Sequence, residues 1–260
     1  MDKNLKVAER DTSYITMVDR AFAILDYIYK CGRSVGISEI SRELDIPKAN
    51  TFRIIKTLEK WSAVERDEDE KLFLGKILIK YGDKSKESID IISSCTPYMR
   101  SLANEIGETV NLGIKHENNI LIIHTEEGEA SILVSRLVPI SPMYCSSIGK
   151  TFLANMDNND ICMYFENEIL NARTINTITT KEQFMKEKEN ILNSRIAYDN
   201  EEYEYGLMCL SSPIYNKEKD VIAGLSISGP KSRLEFKGLK KIEKHLIDAT
   251  KNITNSLEIL

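Results

Sequence analysis

The chain has 260 residues, of which 42% are hydrophobic and 29% are charged, and its net charge is −5. This composition is typical of a globular protein with one large or two moderate domains, and no apolar run reaches the roughly 18 residues of a membrane-spanning helix. The five cysteines are widely spaced without a C-x-x-C pair, which argues against a disulfide framework and a zinc site. The charged N-terminal stretch predicts no secretion signal, so we expect a cytoplasmic protein. We also expect no cofactor and no metal.

The first predicted element is an amphipathic helix over residues 15–30. Its apolar residues follow the helical period and predict one buried face, formed by Val18, Phe22, Leu25 and Ile28 or Tyr29. Gly32 and Gly36 predict the end of this helix and the turn that follows it.

Two further helices and a hairpin come next. The stretch "EISRELD" predicts a short helix. Residues 48–60 predict a second one that begins after Pro47, with the apolar residues Phe52, Ile54 or Ile55, and Leu58 at the helical period. Asp45 stands in the tight turn between them, where a left-handed residue is needed. Because "SAVERDEDEKLFLG" then reads as a small hairpin, the pattern predicts a winged helix-turn-helix, whose second helix enters the major groove of DNA.

Charge on the second helix agrees with that interpretation, since residues 48–60 contain four cations and one anion. Side chains near the N-terminal half of such a helix reach base edges, and cations elsewhere bind phosphates. The predicted base-facing residues are Lys48, Asn50, Thr51 and Arg53. The predicted phosphate contacts are Lys48, Lys56 and, in the wing, Arg66.

The rest of the chain predicts a helical linker and an α+β domain. Residues 75–106 are predicted to be helical in two pieces, before and after Pro97. Strands are predicted in "ETVNLGIK", "NILIIHTEE", "ASILVSRLV", "LMCLSSPIYN" and "DVIAGLSISG", with helices near 149–155, 158–170 and 180–194 and a final helix over 236–257. The predicted domains are therefore 1–74, the linker 75–106, and 107–260 with an antiparallel sheet.

The segment "MYCSSIGKTFLANM" contains Gly149-Lys150-Thr151, which is how a phosphate-binding P-loop ends. Such a loop needs a glycine five residues before the Gly-Lys pair, and that position is Tyr144. Without this glycine the chain cannot easily adopt the positive φ angles of a phosphate cradle. We therefore expect the segment to start a helix whose free N–H groups bind one smaller anion.

In the order and spacing of its motifs, the chain resembles the IclR family of transcriptional regulators. The resemblance rests on "VDRAFAILDYI", "ISEISRELDIPKANTFRIIKTLEK", "GETVNLGI", "SSIGKTFLA" and "YDNEEYEYGLMCLSSPIYN", and it covers nearly the whole chain. It implies a winged helix-turn-helix domain joined by a linker helix to a GAF-like effector-binding domain, an α+β fold. The implied partners are a double-stranded DNA operator, a small organic acid and further copies of the chain in a homo-dimer or tetramer, without a membrane.

Position by position, the resemblance implies an effector site formed by Ser147, Ile148, Asp199, Cys209, Ser226 and Ser228. The two serines are two apart on a predicted strand and so share one face. Amides and serine hydroxyls are expected to hold the carboxylate of the acid, while Asp199 accepts a hydrogen bond from a hydroxyl group. Met143, Leu133 and Leu207 are expected to add apolar lining.

Two other functions stay open at this point. A sensor that acts only through protein contacts would have the same C-terminal domain, and the helix-turn-helix argues against it. An enzyme would need a catalytic constellation, yet none of His116, His124 and His245 lies in a known catalytic motif. Cys145 or Cys209 acting with a histidine is the remaining enzymatic alternative. We expect no enzyme, and a repressor rather than an activator.

Overall fold

The structure is a computed structural model that describes residues 15–87, 90–129 and 139–259. The chain forms two compact units, residues 1–88 and 89–260. The expected strand over residues 130–138, with Leu133 in it, lies outside the described residues.

The first unit is the predicted helix-turn-helix with a hairpin. Its elements are α1 (Thr16–Cys31), α2 (Ile37–Glu43), α3 (Lys48–Lys60), β1 (Val64–Arg66), β2 (Leu72–Leu74) and α4 (Ile77–Glu87). Strands β1 and β2 pair antiparallel. Asp45 adopts the predicted left-handed conformation in the tight turn, with φ of 48°.

The core of the first unit corrects the predicted face of α1. Its buried residues on α1 are Ile24 and Ile28, which pack with apolar residues of α2, α3 and the hairpin. Val18 and Phe22 are 52% and 69% exposed, so the predicted stripe is wrong at its N-terminal end. Residues 15–30 have apolar residues on two stripes, and helical period alone does not tell which of them meets α2 and α3.

The second unit is an α+β domain built on one antiparallel sheet. Its helices are α5 (Asp90–Ile106), α6 (Ser147–Asn155), α7 (Asn158–Asn167), α8 (Lys181–Ser194), α9 (Lys231–Lys237) and α10 (Leu239–Ile259). Its strands are β3 (Thr109–His116), β4 (Asn119–Glu126), β5 (Ile140–Pro142), β6 (Ala197–Asn200), β7 (Leu207–Tyr215) and β8 (Val221–Pro230). The strand order is β5-β4-β3-β8-β7-β6.

Two apolar clusters hold this unit together. One joins α5 and α10 to strands β3, β7 and β8, and the other lies around α6, α7 and α8. Strand β8 is buried over most of its length because both neighbouring strands and helices cover it. The segment that contains Gly149 thus forms a helix packed on the sheet, as its apolar residues require.

Two predicted boundaries and two short strands differ from the structure. Pro97 lies inside α5 rather than between two helices, because Met99 and other residues after it continue the buried face of that helix. Phe236 belongs to α9, and Gly238 separates α9 from α10. Strands β5 and β6 were not predicted, since three or four residues are too few to show a period.

None of the helices in the described part of the chain is both long enough and apolar enough to cross a membrane.

Candidate functional site

One wall of a cavity in the second unit is a row of polar side chains across the sheet. Asp199 on β6 pairs with Cys209 on β7, and Cys209 pairs with Ser228 on β8. On the next strand, Asn111 of β3 pairs with Ser226. Directly paired residues point to the same face of an antiparallel sheet, so these side chains are neighbours on one surface.

The opposite wall is the start of α6. Ser146 is the N-cap residue: its hydroxyl accepts the N–H of Gly149 at 3.2 Å and donates to the carbonyl of Pro142 at 2.7 Å. The first intrahelical bond runs from Lys150 N to Ser146 O. The N–H groups of Ser147 and Ile148 come before that bond, at the positive end of the helix dipole.

Between these walls lies a cavity with about 630 Å³ of empty space, part of it open to solvent. All six residues predicted for effector binding line it, which brings Ser147 and Ile148 opposite the strand residues. Leu207 lines it as well, whereas Met143 is fully buried and is not among the lining residues. The lining residues that the sequence did not indicate are Asn111, Ile122, Ser141, Ser146, Tyr203 and Glu204.

Asn111 is the polar residue that the sequence pattern could have revealed, because it interrupts the apolar strand "TVNLG". It is fully buried. Its Nδ2 donates to Ser228 Oγ at 3.3 Å, and its Oδ1 accepts the hydroxyl of Thr125 at 3.0 Å. These bonds fix the direction of the amide, and one N–H of Nδ2 remains for a ligand.

Asp199 is 2% exposed at the edge of this wall. Its Oδ1 accepts the backbone N–H groups of Glu202 at 2.8 Å and Tyr203 at 3.1 Å. Burial nevertheless raises the pKa of this carboxyl to about 7, because those two bonds and the charge of Lys150 do not fully offset the loss of water. Near neutral pH the side chain therefore exists both as a hydrogen-bond donor and as an acceptor.

Lys150 does not face the cavity, and no local pattern indicated its role. It is fully buried, and its Nζ donates to Glu187 Oε2 at 2.8 Å and to Glu202 Oε1. Burial alone would lower the pKa of Lys150, but the charges of Glu202 and Glu187 outweigh it and raise the pKa. The lysine thus ties α6 to α8 and to the segment after β6.

That segment, residues 201–206, carries Tyr203 and Glu204 to the cavity and is held by several bonds. The hydroxyl of Thr177 donates to the carbonyl of Glu202 at 2.7 Å, and that of Thr174 donates to the carbonyl of Glu201 at 2.6 Å. The backbone N–H of Glu202 is the one held by Asp199. Glu202 is therefore the residue through which Lys150 and Asp199 are connected.

The predicted DNA-contacting residues lie in the first unit. Lys48, Arg53 and Lys56 are exposed on α3, and Asn50 is half-buried. Thr51 is fully buried, and its hydroxyl donates to the carbonyl of Ile46 at 3.2 Å. A side chain inside the domain cannot reach a base edge, so the predicted base contact of Thr51 is withdrawn and its role is to hold the turn before α3.

Arg66 is engaged within the first unit. Its guanidinium bonds Glu59 at 2.5 Å and Glu70 at 3.1 Å, and these carboxylates offset its charge. A phosphate contact would have to replace those ion pairs. The tip of the hairpin, residues 67–70, is acidic at every position, and hydrogen bonds from Ser34 and the backbone lower the pKa of Asp67. The tip of this wing therefore carries negative charge, and Lys71 follows it.

The geometry of the cysteines and histidines does not assemble a nucleophile. Burial raises the pKa of the Cys145 thiol to about 12, and it also raises that of Cys209. His124 bonds Glu126 at 3.1 Å and His245 bonds Glu105 at 2.9 Å. Within the described residues, no group of three or more potential ligands could hold a metal ion.

Comparison with known proteins matches both units. Residues 84–255 match the family model of the bacterial transcriptional regulator IclR C-terminal domain, and residues 17–68 match that of the IclR helix-turn-helix domain. The chain is 29% identical over 248 residues to the HTH-type transcriptional regulator KdgR of Escherichia coli strain K12, covering 95% of this chain and 94% of that protein. It is 31% identical over 221 residues to the HTH-type transcriptional repressor AllR of the same strain, covering 84% and 81%.

Among solved structures, the chain is similar to an IclR homologue from Microbacterium hydrocarbonoxydans in complex with 4-hydroxybenzoate. The TM-score is 0.77 at 20% identity, and the match covers 93% of this chain and 98% of that one. At this identity the similarity supports the fold.

Proposed function

This chain belongs to the IclR family of bacterial transcriptional regulators and is a DNA-binding regulator rather than an enzyme, and we propose that it is a repressor controlled by a small organic acid. The relative named a repressor, AllR, supports the direction of control. The acid binds in the cavity between α6 and the sheet and changes the affinity of the protein for its operator.

One observation supports this proposal: Ser147 and Ile148, whose N–H groups come before the first intrahelical bond of α6, line the same cavity as Asp199. Amides at a helix N-terminus bind a carboxylate without a cationic side chain. Asp199, Ser226 and Ser228 then offer hydrogen bonds to a second polar group. A short acid with a hydroxyl or oxo group fits both sets of partners, and the 4-hydroxybenzoate in the Microbacterium homologue is an acid with a hydroxyl.

Calorimetry with a panel of short acids, including pyruvate, lactate, glyoxylate and 4-hydroxybenzoate, tests the effector site. We expect at least one acid to bind the wild-type protein and to bind Asp199→Ala much more weakly. Asp157→Ala is the matched control, because Asp157 also accepts two backbone N–H groups but caps α7 outside the cavity. Equal binding by all three proteins, or no binder in the panel, would count against the site.

In the first unit, the residues of α3 proposed to contact the operator DNA are Lys48, Asn50, Arg53 and Lys56. Winged helices of this kind read paired half-sites, so two copies of the chain are required, in a dimer or in a tetramer of two dimers. An acid alters operator affinity only if it favours one of two arrangements of the two α3 helices. Residues 75–106, which join the units, are the proposed transmitter. A gel-shift assay on the DNA around the protein's own gene, with and without the acid found above, tests this scheme.

Arg53→Ala is expected to weaken operator binding by roughly 1–3 kcal/mol and to relax the base preference at one position, because arginine pairs bidentately with guanine. Lys60→Ala, at the exposed far end of the same helix, is the control and should change affinity evenly on all sequences. Gel shifts on a set of single-base operator variants measure both effects. An unchanged base preference in Arg53→Ala would place this side chain away from the bases.

A further inference from the structure

Phe52 is a large apolar side chain on the outer side of α3. The helical period of residues 48–60 places it in the buried stripe, but the structure buries Thr51, Ile54 and Ile55 instead. Because Thr51 turns inward to the carbonyls of Ile46 and Pro47, the ring of Phe52 is left 47% exposed. A partner that covers this ring would remove its exposed apolar surface from water, which favours binding.

The surroundings of this ring are cationic. Lys56 Nζ lies 5.7 Å from the ring centroid and forms an exposed ion pair with Glu59 at 3.1 Å, and Arg53 follows Phe52 directly on the exposed side. Ala49, one turn earlier, is also exposed. The outer side of α3 therefore combines two apolar side chains with cations that suit a polyanionic partner.

The cations of the hairpin, Arg66 and Lys71, both lie beside carboxylates. Arg66 is paired with Glu59 and Glu70, and residues 67–70 are all acidic. In the proposed function, the side chains of α3 are the ones that meet the base edges. In the major groove, the one apolar group that a base edge displays is the C5-methyl group of thymine.

We infer that Phe52 determines sequence specificity by packing its ring on the methyl group of a thymine in the operator. This inference rests on the assignment of α3 to the major groove in the proposed function. Charge complementarity between the cations of α3 and the phosphates selects DNA as the partner. Lys56, whose side chain is 57% exposed in its pair with Glu59, then exchanges that carboxylate for a phosphate beside the thymine.

The test replaces thymine by uracil, which removes the methyl group and changes no hydrogen bond. A duplex is first enriched from a random library with the full-length wild-type protein, and each thymine is then replaced singly by uracil. Wild type should lose about fourfold in affinity at one position, the equivalent of burying one methyl group. Phe52→Ala should bind both duplexes equally at that position, and Phe52→Leu should keep part of the preference.

Salt dependence separates this contact from a phosphate contact. Phe52→Ala should leave the slope of log affinity against log salt unchanged, while the control Lys56→Ala should reduce it by about 1 and weaken both duplexes equally. The inference is overturned if Phe52→Ala keeps the wild-type preference for thymine, or if wild type has no uracil-sensitive position. A loss that is equal on every duplex, as from a weakened dimer, also overturns it. Failure of wild type to enrich any duplex would instead refute the assignment of α3 itself.

Discussion

Replacing Asp199 with asparagine is expected to stabilise the second unit at pH 8 and to leave its stability at pH 4 almost unchanged. The pKa of this carboxyl is about 7 in the folded protein, against an ordinary value of 3.8. As the pH rises from 4 to 7, the unfolded chain releases this proton while the folded chain keeps it, so ionisation costs stability. Asparagine avoids that cost, which reaches at most about 4 kcal/mol above pH 7. Urea unfolding followed by circular dichroism at both pH values measures the difference.

Asp199→Asn should also change how the affinity for the effector acid depends on pH. A carboxylate in the cavity favours the protonated form of Asp199, so the wild-type protein takes up a proton on binding and loses up to about tenfold in affinity for each pH unit above 7. The side chain of Asp199→Asn cannot take up this proton, and its amide oxygen can still accept the N–H groups of Glu202 and Tyr203 that the aspartate holds. Calorimetry in two buffers of different ionisation enthalpy counts the protons directly.

Asp199→Ala serves as the control, because alanine removes both the titrating group and the acceptor of the two N–H groups. At pH 4 it should be less stable than the wild-type protein by about 1–3 kcal/mol for the unpaired buried donors, and at both pH values it should be less stable than Asp199→Asn by about this amount. If the asparagine variant kept the pH dependence of the wild-type protein in both experiments, another group would be responsible.

The order of elements was predictable because each has a local signal. The helix pair, the acidic hairpin and the long strands β3, β4, β7 and β8 show a period, a cap or a turn that neighbouring residues determine. The predictions of the buried helix face are wrong where tertiary packing determines which face is buried. Phe22 and Phe52 both lie on helices with more than one apolar stripe, and only packing against other helices selects the stripe that is buried.

The candidate site was likewise predictable in part. The two serines of β8 and the start of α6 follow from local pattern and family resemblance, and the structure places them around one cavity. The bonds of Lys150 join residues 37 and 52 positions apart, and no local pattern reports such a pairing. The pair Gly149-Lys150 suggested an anion site in the sequence. In the structure Gly149 allows close packing, because a Cβ there would lie 2.3 Å from Met143 Cα.

Lys150→Met is expected to be the most damaging single change behind the cavity. It leaves the carboxylate of Glu202, 5% exposed, without its cation, and Glu202 Oε2 already has no partner among the described residues. Removing one member of a buried ion pair typically costs about 3–5 kcal/mol. Urea unfolding by circular dichroism measures the loss. The only tryptophan, Trp61, lies in the first unit, so its fluorescence reports that unit as an internal control.

Two further variants separate charge from packing. Glu187→Gln should cost less than about 1 kcal/mol, because the Glu187 side chain is 43% exposed and Lys150 keeps Glu202. The double variant Lys150→Met with Glu202→Gln should recover a large part of the loss, since no buried charge is then unpaired. Glu202 also fixes Asp199 through its N–H group. Lys150→Met should therefore lower the affinity of the protein for the effector acid as well, and the double variant should restore that affinity in part. A double variant no more stable than Lys150→Met would mean that the unpaired charge of Glu202 is not the cause of the loss.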